Sequence, residues 1–556
     1  MKYMKIKLTK TSLFLVFLLI FGGFLRIYKI GSNPPHLTAD EASLGYNAFS
    51  ILKTGRDEYG EILPIIFKSF GDYKPGLYVY LTIPFVFIFG MNEFSVRLPS
   101  ALTGVLSIFL VYLILKEFFG RDRKALFGAF LLTINPWLIN FSRAAWEVNV
   151  ALGLTLIAIY FFLLSFRKNK YLVLSSLFFA FSLLCYQGAK LSSGIVVLIL
   201  ALVYRRELLK IERKFLAASI ILGVIVSLPI IISFFQGKTG RLTVFSVFSY
   251  PRPDEYLNEF LSESGVKKGS LPYYLYYSEG YNFLRGVMGR YFNHFSGRFL
   301  FFDGDWQNLK HSTPNAGVML FSDLILVLVG VYFLFREKIT KPVFFILFWL
   351  LLSPLPSALS RDQVHAVRAL NMAVPLVFVA GFGLDWIFEK SRIMFVLVSL
   401  SIVLSLIYYL DSLFIHQPVH HAKYWEYGYR EIVKAVTPVM NDYEDIVVQQ
   451  SYSQPYIYFL FYWASGLKED FDPRDYQGLN RSVGSNYLDV GLVEKLDKII
   501  FRGIDWSIDR GKRGTLFVGD SVRIPVSDSS DLGQFDIVGK IMYPDGALAF
   551  RVVEVK

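Results

Sequence analysis

A chain of 556 residues that is 54% hydrophobic and 17% aromatic, with a mean hydropathy of +0.44, is not a water-soluble globule; apolar runs of about 18 residues or more read as membrane-spanning helices. The net charge of +12, from 57 Lys and Arg against 45 Asp and Glu, does not point to nucleic acid. The basic residues sit in short loops between apolar runs, as they do where positive loops stay on the cytoplasmic side. The single cysteine, Cys185, excludes a disulfide framework and a thiolate metal centre, and no glycine-rich nucleotide loop is present.

The first apolar run, 11–28, follows Lys2, Lys5, Lys7 and Lys10. No small-residue cleavage site follows it, so it reads as a retained first helix. Next comes HLTADEASLGYNAF (36–49), in which Thr38 and Glu41 have the spacing of a capping box. The box gives Glu41 a structural task and leaves the adjacent Asp40 without one. Further spans are predicted near 98–115, 125–140, 148–166, 171–187, 191–204, 214–235, 316–335, 342–356, 369–388 and 393–412. The basic loops at 116–124, 167–170, 205–214, 336–341 and 390–392 all follow even-numbered spans. Eleven spans therefore put the N-terminus inside and the C-terminal segment outside. LYVYLTIPFVFIFG (77–90) would break this parity if it spanned, and Pro84 interrupts it. It is expected to lie along the outer interface or re-enter, within a first outer loop of about 29–97. The alternative is that it spans and a weaker segment, such as 342–356, does not.

This topology places the unusual polar residues on one face: Asp40, Glu41, Asp72 and Lys74 in the first outer loop, and Arg143 and Glu147 between the third and fourth spans. Lys190 follows the fifth span, Asp305 and His311 end a long outer loop of about 236–315, and Arg361, His365 and Arg368 precede the tenth span. Any one of them alone reads as a snorkelling end or a local ion pair. Charges gathered at a bilayer boundary mark a functional cavity. One with both acids and bases suits a phosphate head group whose lipid tail stays in the membrane.

Beyond about residue 412 the apolar runs stop. EDIVVQQS and GTLFVGDS read as strands, PYIYFLFYWASG as an aromatic helix or strand, and 535–555 as a hairpin about Pro-Asp-Gly. An amphipathic helix is expected after Pro418. The division is 1–412 as a membrane domain and 413–556 as a small outer α/β domain. His416, His420 and His421 read as a solvated cluster rather than a metal site.

The Asp-Glu pair after the first span, DYKPGLYVYL (72–81) and FSVRLPSALTG (94–104) together resemble the polyprenol-phosphate-dependent glycosyltransferases of GT-C fold. That family includes protein O-mannosyltransferases and the aminoarabinose transferases of lipid A. NPWLINFSRAAWE (135–147), FFDGDWQNLKH (301–311) and HAVRALNMAVP (365–375) are similar to later landmarks, so the resemblance covers about 12–410. It implies a polytopic α-helical protein with juxtamembrane helices in the first outer loop, seated in the plasma membrane. The implied activity is transfer of a sugar, with inversion, from a polyprenyl phosphate to a hydroxyl on a lipid, glycan or protein acceptor outside the membrane. It places the general base on Asp40, with Glu41 beside it as the second catalytic candidate. Lys74 falls on the lipid phosphate and Glu147 in the cavity; Asp72, Arg143, Lys190, His311, Arg361, His365 and Arg368 are the remaining substrate-binding candidates. No cofactor is obligatory, since the lipid phosphate is a good leaving group. Relatives that transfer whole oligosaccharides use a divalent cation, for which Asp40, Glu41 and Glu147 offer oxygens. An oligosaccharide ligase or polymerase, and a lipid-linked sugar transporter, are the competing readings.

Overall fold

The computed structural model describes residues 9–70, 72–237, 246–336, 339–450, 454–479, 482–483, 491–525 and 533–556. Helices occur at all eleven places where hydropathy predicts a span. In chain order they are α1 (Lys10–Ile27), then α2 (Ala39–Thr54) and α3 (Leu77–Phe89) in the first loop, and α4 (Glu93–Phe119). There follow α5 (Asp122–Ile134), α6 (Pro136–Ser142), α7 (Glu147–Ser165), α8 (Tyr171–Cys185), α9 (Ala189–Val203) and α10 (Arg213–Phe235). After a loop region come α11 (Asp254–Ser264), α12 (Glu279–Asn293), α13 (Asp323–Arg336), α14 (Lys341–Leu352), α15 (Ala373–Lys390) and α16 (Arg392–Asp411).

Among the described residues seven helices are long and apolar enough to cross a bilayer, or eight if the bent pair α5–α6 is one span. The bend is 57° and falls at Asn135–Pro136; proline has no N–H to continue the ladder, and Asn135 Oδ1 caps the new helix by accepting from Leu138 N. Helices α8 and α9 have 15 residues each, about 22 Å at 1.5 Å per residue, short of a ~30 Å hydrocarbon core. The central element is α15: its most apolar window is 94% buried, against 17% for α10 and for α16, whose apolar side chains lie on the outside of the bundle. Small residues let α13 and α15 touch: a Cβ on Gly330 would strike the Val379 carbonyl, and one on Gly383 the Leu326 carbonyl.

Helix α3 is 13 residues long with Pro84 inside it. It packs on α2 and α4 through Tyr78, Val79, Thr82 and Val86, and leaves Phe87, Ile88 and Phe89 exposed at its end. Before it, a hairpin pairs β1 (Ile66–Ser69) with β2 (Asp72–Pro75), so that Lys74 lies opposite Phe67.

Six strands among the described residues of the C-terminal segment form a mixed sheet flanked by helices α17 (Tyr429–Val436) and α18 (Pro455–Tyr462). Its strands are β3 (Asp445–Gln449), β4 (Lys495–Leu496), β5 (Ile499–Arg502), β6 (Thr515–Gly519), β7 (Phe535–Met542) and β8 (Leu548–Val555), in the order β4-β5-β3-β6-β8-β7. The three central strands are parallel, and the hairpin about Pro544-Asp545-Gly546 closes one edge. The aromatic run after Pro455 is a helix: proline suits its first turn, and every residue from Pro455 to Tyr462 is buried. The expected helix after Pro418 is broken into the short turns Gln417–His420 and Ala422–Trp425 and then α17, because Glu426 and Gly428 take left-handed backbone. His416 pairs with Asp411 at 3.1 Å and stacks on His420, both as surface groups. His421 departs from the expected solvated cluster: it is buried, and desolvation depresses its pKa to about 4.

The hydrophobic interior divides by position. One cluster fills the helix bundle; a second joins α2, α3 and the start of α4 to α17, α18 and the inner face of the sheet. Helix α2 is thus held between bundle and C-terminal segment, closely enough that a Cβ on Gly45 would lie 2.6 Å from Val96 Cγ2 and 2.7 Å from Phe461 Cε2.

Candidate active site

The segment between α1 and α2 has little regular structure, and buried arginines fix it. Arg97, fully buried on α4, donates to the carbonyls of Ile30 (2.8 Å), Pro34 (2.9 Å) and His36 (2.6 Å) and to Glu41 Oε1 (2.9 Å). Arg143, also fully buried, donates to the carbonyls of Leu25 (2.9 Å) and Asn33 (2.8 Å). The His36 ring donates from Nδ1 to Leu37 O at 2.7 Å, and Nε2 accepts from Arg430 N at 3.1 Å. Burial lowers its pKa to about 3, so it is a neutral strut.

This frame presents the N-terminus of α2. Thr38 and Glu41 form the capping box expected from the sequence, with Thr38 N donating to Glu41 Oε2 at 3.0 Å and Glu41 N to Thr38 Oγ1 at 3.3 Å. Glu41 also accepts from Ala145 N at 2.8 Å and pairs with Arg97. Its side chain is 4% exposed. Glu41, the second catalytic candidate, is thus tied into the scaffold on three sides. The guanidinium of Arg143, a substrate-binding candidate, is engaged by backbone carbonyls and by the Phe414 ring at 4.8 Å.

Asp40 faces the other way. Its side chain is 49% exposed and pairs with Lys74 Nζ from β2. The helix and the hairpin, 34 residues apart in sequence, bring together the acid and base that the motifs singled out separately. Asp72 starts β2, is buried, and lies within electrostatic range of Lys190, which donates to Gln187 Oε1 at 3.2 Å. Glu147 opens α7 and is half-buried.

A chain of ring contacts continues from there: His365 to His311 at 5.0 Å between centroids, His311 to Trp146 at 5.3 Å, and Trp146 to Trp425 at 6.4 Å. His311 Nδ1 meets Asp305 Oδ2 at 2.8 Å, and Arg368 donates to Asp362 Oδ2 at 2.6 Å. Arg361 is exposed; it donates to Tyr250 at 3.1 Å and lines a cavity of about 530 Å³ with Arg285, Arg290 and Asp362. Two residues that sequence patterns did not single out complete the arrangement. Glu426, in left-handed backbone (φ 54°), accepts from Ala39 N at 3.0 Å and from Tyr458. Burial and the nearby Asp40 raise its pKa, opposed by Lys310. Lys310 also lies within electrostatic range of His311 and His365, so it bridges the Asp40 and histidine groups. The one clue in the sequence was its place beside His311; Glu426 comes from the C-terminal segment, where no pattern pointed to chemistry.

The oxygens of Asp40, Glu41 and Glu147 do not fit a shared cation. Glu41 is already engaged by Arg97 and two backbone N–H groups, and Asp40 by Lys74.

A family model described as dolichyl-phosphate-mannose-protein mannosyltransferase matches residues 73–232, a stretch that begins one residue before Lys74. ArnT from Cupriavidus metallidurans in the apo state superposes with a TM-score of 0.54 over 98% of both chains at 13% identity. The chain shares the fold of ArnT. The same ArnT bound to undecaprenyl phosphate gives 0.51 over 97% of both chains at 12% identity. An Archaeoglobus fulgidus oligosaccharyltransferase tethered to an acceptor peptide gives 0.50 at 14% identity, over 97% of this chain and 74% of that one. YkcB of Bacillus subtilis strain 168, which carries the name of a mannosyltransferase, is 29% identical over 179 residues. That match is 32% of this chain and 24% of YkcB, so the chain spans about a quarter of that relative's length. The GT-C fold and the apolar helices make this a multi-pass membrane protein.

Proposed function

We propose that the chain is a membrane glycosyltransferase that moves a sugar from a polyprenyl-phosphate donor to an acceptor hydroxyl, on the extracytoplasmic face and with inversion. The observation that carries this reading is the ion pair between Asp40, at the N-terminus of α2, and Lys74, on the hairpin. Inverting transfer needs a carboxylate to take the acceptor's proton as its oxygen attacks the anomeric carbon. It also needs fixed positive charge where the C–O bond to phosphate breaks and negative charge builds on the leaving oxygen. Asp40 is the base and Lys74 the cation. An arriving phosphate competes for Lys74 and releases Asp40 toward the acceptor. Arg361 and the Arg285–Arg290 pair around the cavity, with Arg368 and His365 beside it, supply further donors for the phosphate; arginine offers a two-pronged contact that lysine cannot. The ArnT structure with undecaprenyl phosphate and the match to a dolichyl-phosphate-mannose-protein mannosyltransferase model both favour a lipid-linked donor.

The test is a radiolabelled monosaccharyl-phosphate polyprenol given to the purified protein in detergent with candidate acceptors. Release of polyprenyl phosphate together with labelled acceptor supports the reading. Movement of intact donor across a reconstituted bilayer without release would establish a transporter instead. Transfer of label only from oligosaccharide donors would establish a ligase or polymerase.

A further inference from the structure

We propose that Asp305, His311 and His365 form a binding site for a divalent transition-metal ion of the zinc class, tying the segment 303–313 to the segment 361–368. One ligand atom from each lies within 4.8 Å of the other two. Zinc holds imidazole nitrogen and carboxylate oxygen at about 2.0–2.2 Å, so small side-chain shifts close the set around an ion. The donors are preset by the backbone. Asp305 is fully buried; its Oδ1 accepts from Asn308 N at 3.0 Å and Gln307 N at 3.3 Å, and its Oδ2 from Ala366 N at 2.8 Å. One carboxylate thus already bridges both segments. His311 is 3% exposed, and its Nδ1 meets Asp305 Oδ2 at 2.8 Å. The backbone N–H of His365 donates to Nε2 of the buried His294 at 3.3 Å, and the His365 ring accepts at Nδ1 from Arg368 N at 3.4 Å.

Arg368 is paired with Asp362 at 2.6 Å, and Lys310 acts on the Glu426 carboxyl. Two imidazoles and one carboxylate suit Zn²⁺ or Co²⁺ rather than the all-oxygen preference of Ca²⁺ or Mg²⁺. Three protein ligands leave a fourth position for water or an anionic oxygen. The competing account is that the Asp305–His311 contact is a metal-free brace.

The experiment uses the full chain in detergent, purified without a polyhistidine tag and without donor lipid, so that it does not depend on transferase activity. Zn²⁺ binding is followed by competition with a chelating dye and by elemental analysis, and Co²⁺ binding by its visible absorption. The expected result is equimolar Zn²⁺ and an intense tetrahedral Co²⁺ spectrum. His311→Ala and His365→Gln should each weaken binding at least on the order of tenfold, and His416→Ala, in the surface cluster, should not. Substoichiometric metal, a weak octahedral Co²⁺ spectrum, or wild-type binding by His365→Gln would each overturn the proposal. The His365 position is the less buried of the two histidines, so its isosteric variant tests the idea even if His311→Ala does not fold.

Discussion

Asp40 and Glu41 are neighbours in sequence with opposite surroundings, so their variants should fail in different ways. Asp40→Asn keeps the side chain's size at a half-exposed position. It should leave folding and donor binding intact and cut turnover by about 10²–10⁴-fold, the usual worth of general-base catalysis; single-turnover kinetics beside a donor-binding assay will read this. Glu41→Gln removes the charge that faces a fully buried Arg97. Breaking a buried pair from one side costs about 3–5 kcal/mol, so this variant should show a lowered unfolding midpoint in detergent, with activity lost through the fold. The buried histidines set a pH dependence. His36 and His421 have folded pKa values near 3 and 4 against an ordinary 6.5, so below pH 6.5 the unfolded chain binds protons that the folded one does not. Stability is full above about pH 6.5 and falls as pH drops toward 4, by up to ~1.4 kcal/mol per pH unit for each histidine. A thermal-shift series from neutral to mildly acid pH should show this fall, and His36→Gln should flatten it. An unchanged slope would mean that His36 is protonated in the fold.

The elements differ in how openly the sequence announced them. The capping box of α2 was legible because both partners lie within one turn, and the apolar helices because hydropathy is a local property. Glu41 as a hub was not, since Arg97 and Ala145 are brought to it from other helices. His421 looked like a surface residue among histidines, and only the loop packed above it makes it buried. The 455–462 run stayed ambiguous between helix and strand because an element buried on all sides has no apolar period to read; the structure makes it a helix seated on α2. That seating gives an element-scale prediction. Gly45→Val should overpack the contact of α2 with Val96 and Phe461, costing about 1–3 kcal/mol. Because Asp40 lies one and a half turns away, the variant should also lower turnover; a stable, fully active Gly45→Val would mean that α18 does not brace the helix.

At the scale of the whole molecule, the loop charges and the arrangement of helices make one joint prediction. Cys185 is buried, so an introduced cysteine should label against a low background. Cysteines at Glu263 and at the exposed Val522 should react with an impermeant reagent outside intact cells, and cysteines at Arg121 and Lys210 should not. Labelling in the reverse pattern would invert the whole orientation, and with it the face on which donor and acceptor meet. The division of the chain at residue 412 was drawn where apolar runs stop, which is sound for hydropathy. It does not follow the packing, because the second hydrophobic cluster takes residues from 37–96 and from 429–552 alike.

That shared cluster has a consequence for biosynthesis. A ribosome releases the Asp40 helix hundreds of residues before the strands and aromatic helix that complete its bed. Until they arrive, α2 has Arg97 and the bundle on one side and nothing on the other. The Asp40 carboxylate is therefore seated last although it is made early. In a nascent chain stalled before Tyr429, α2 would lack the second wall of its bed, and the Asp40–Lys74 pair is expected to be set only once residues from 429–552 have packed against it.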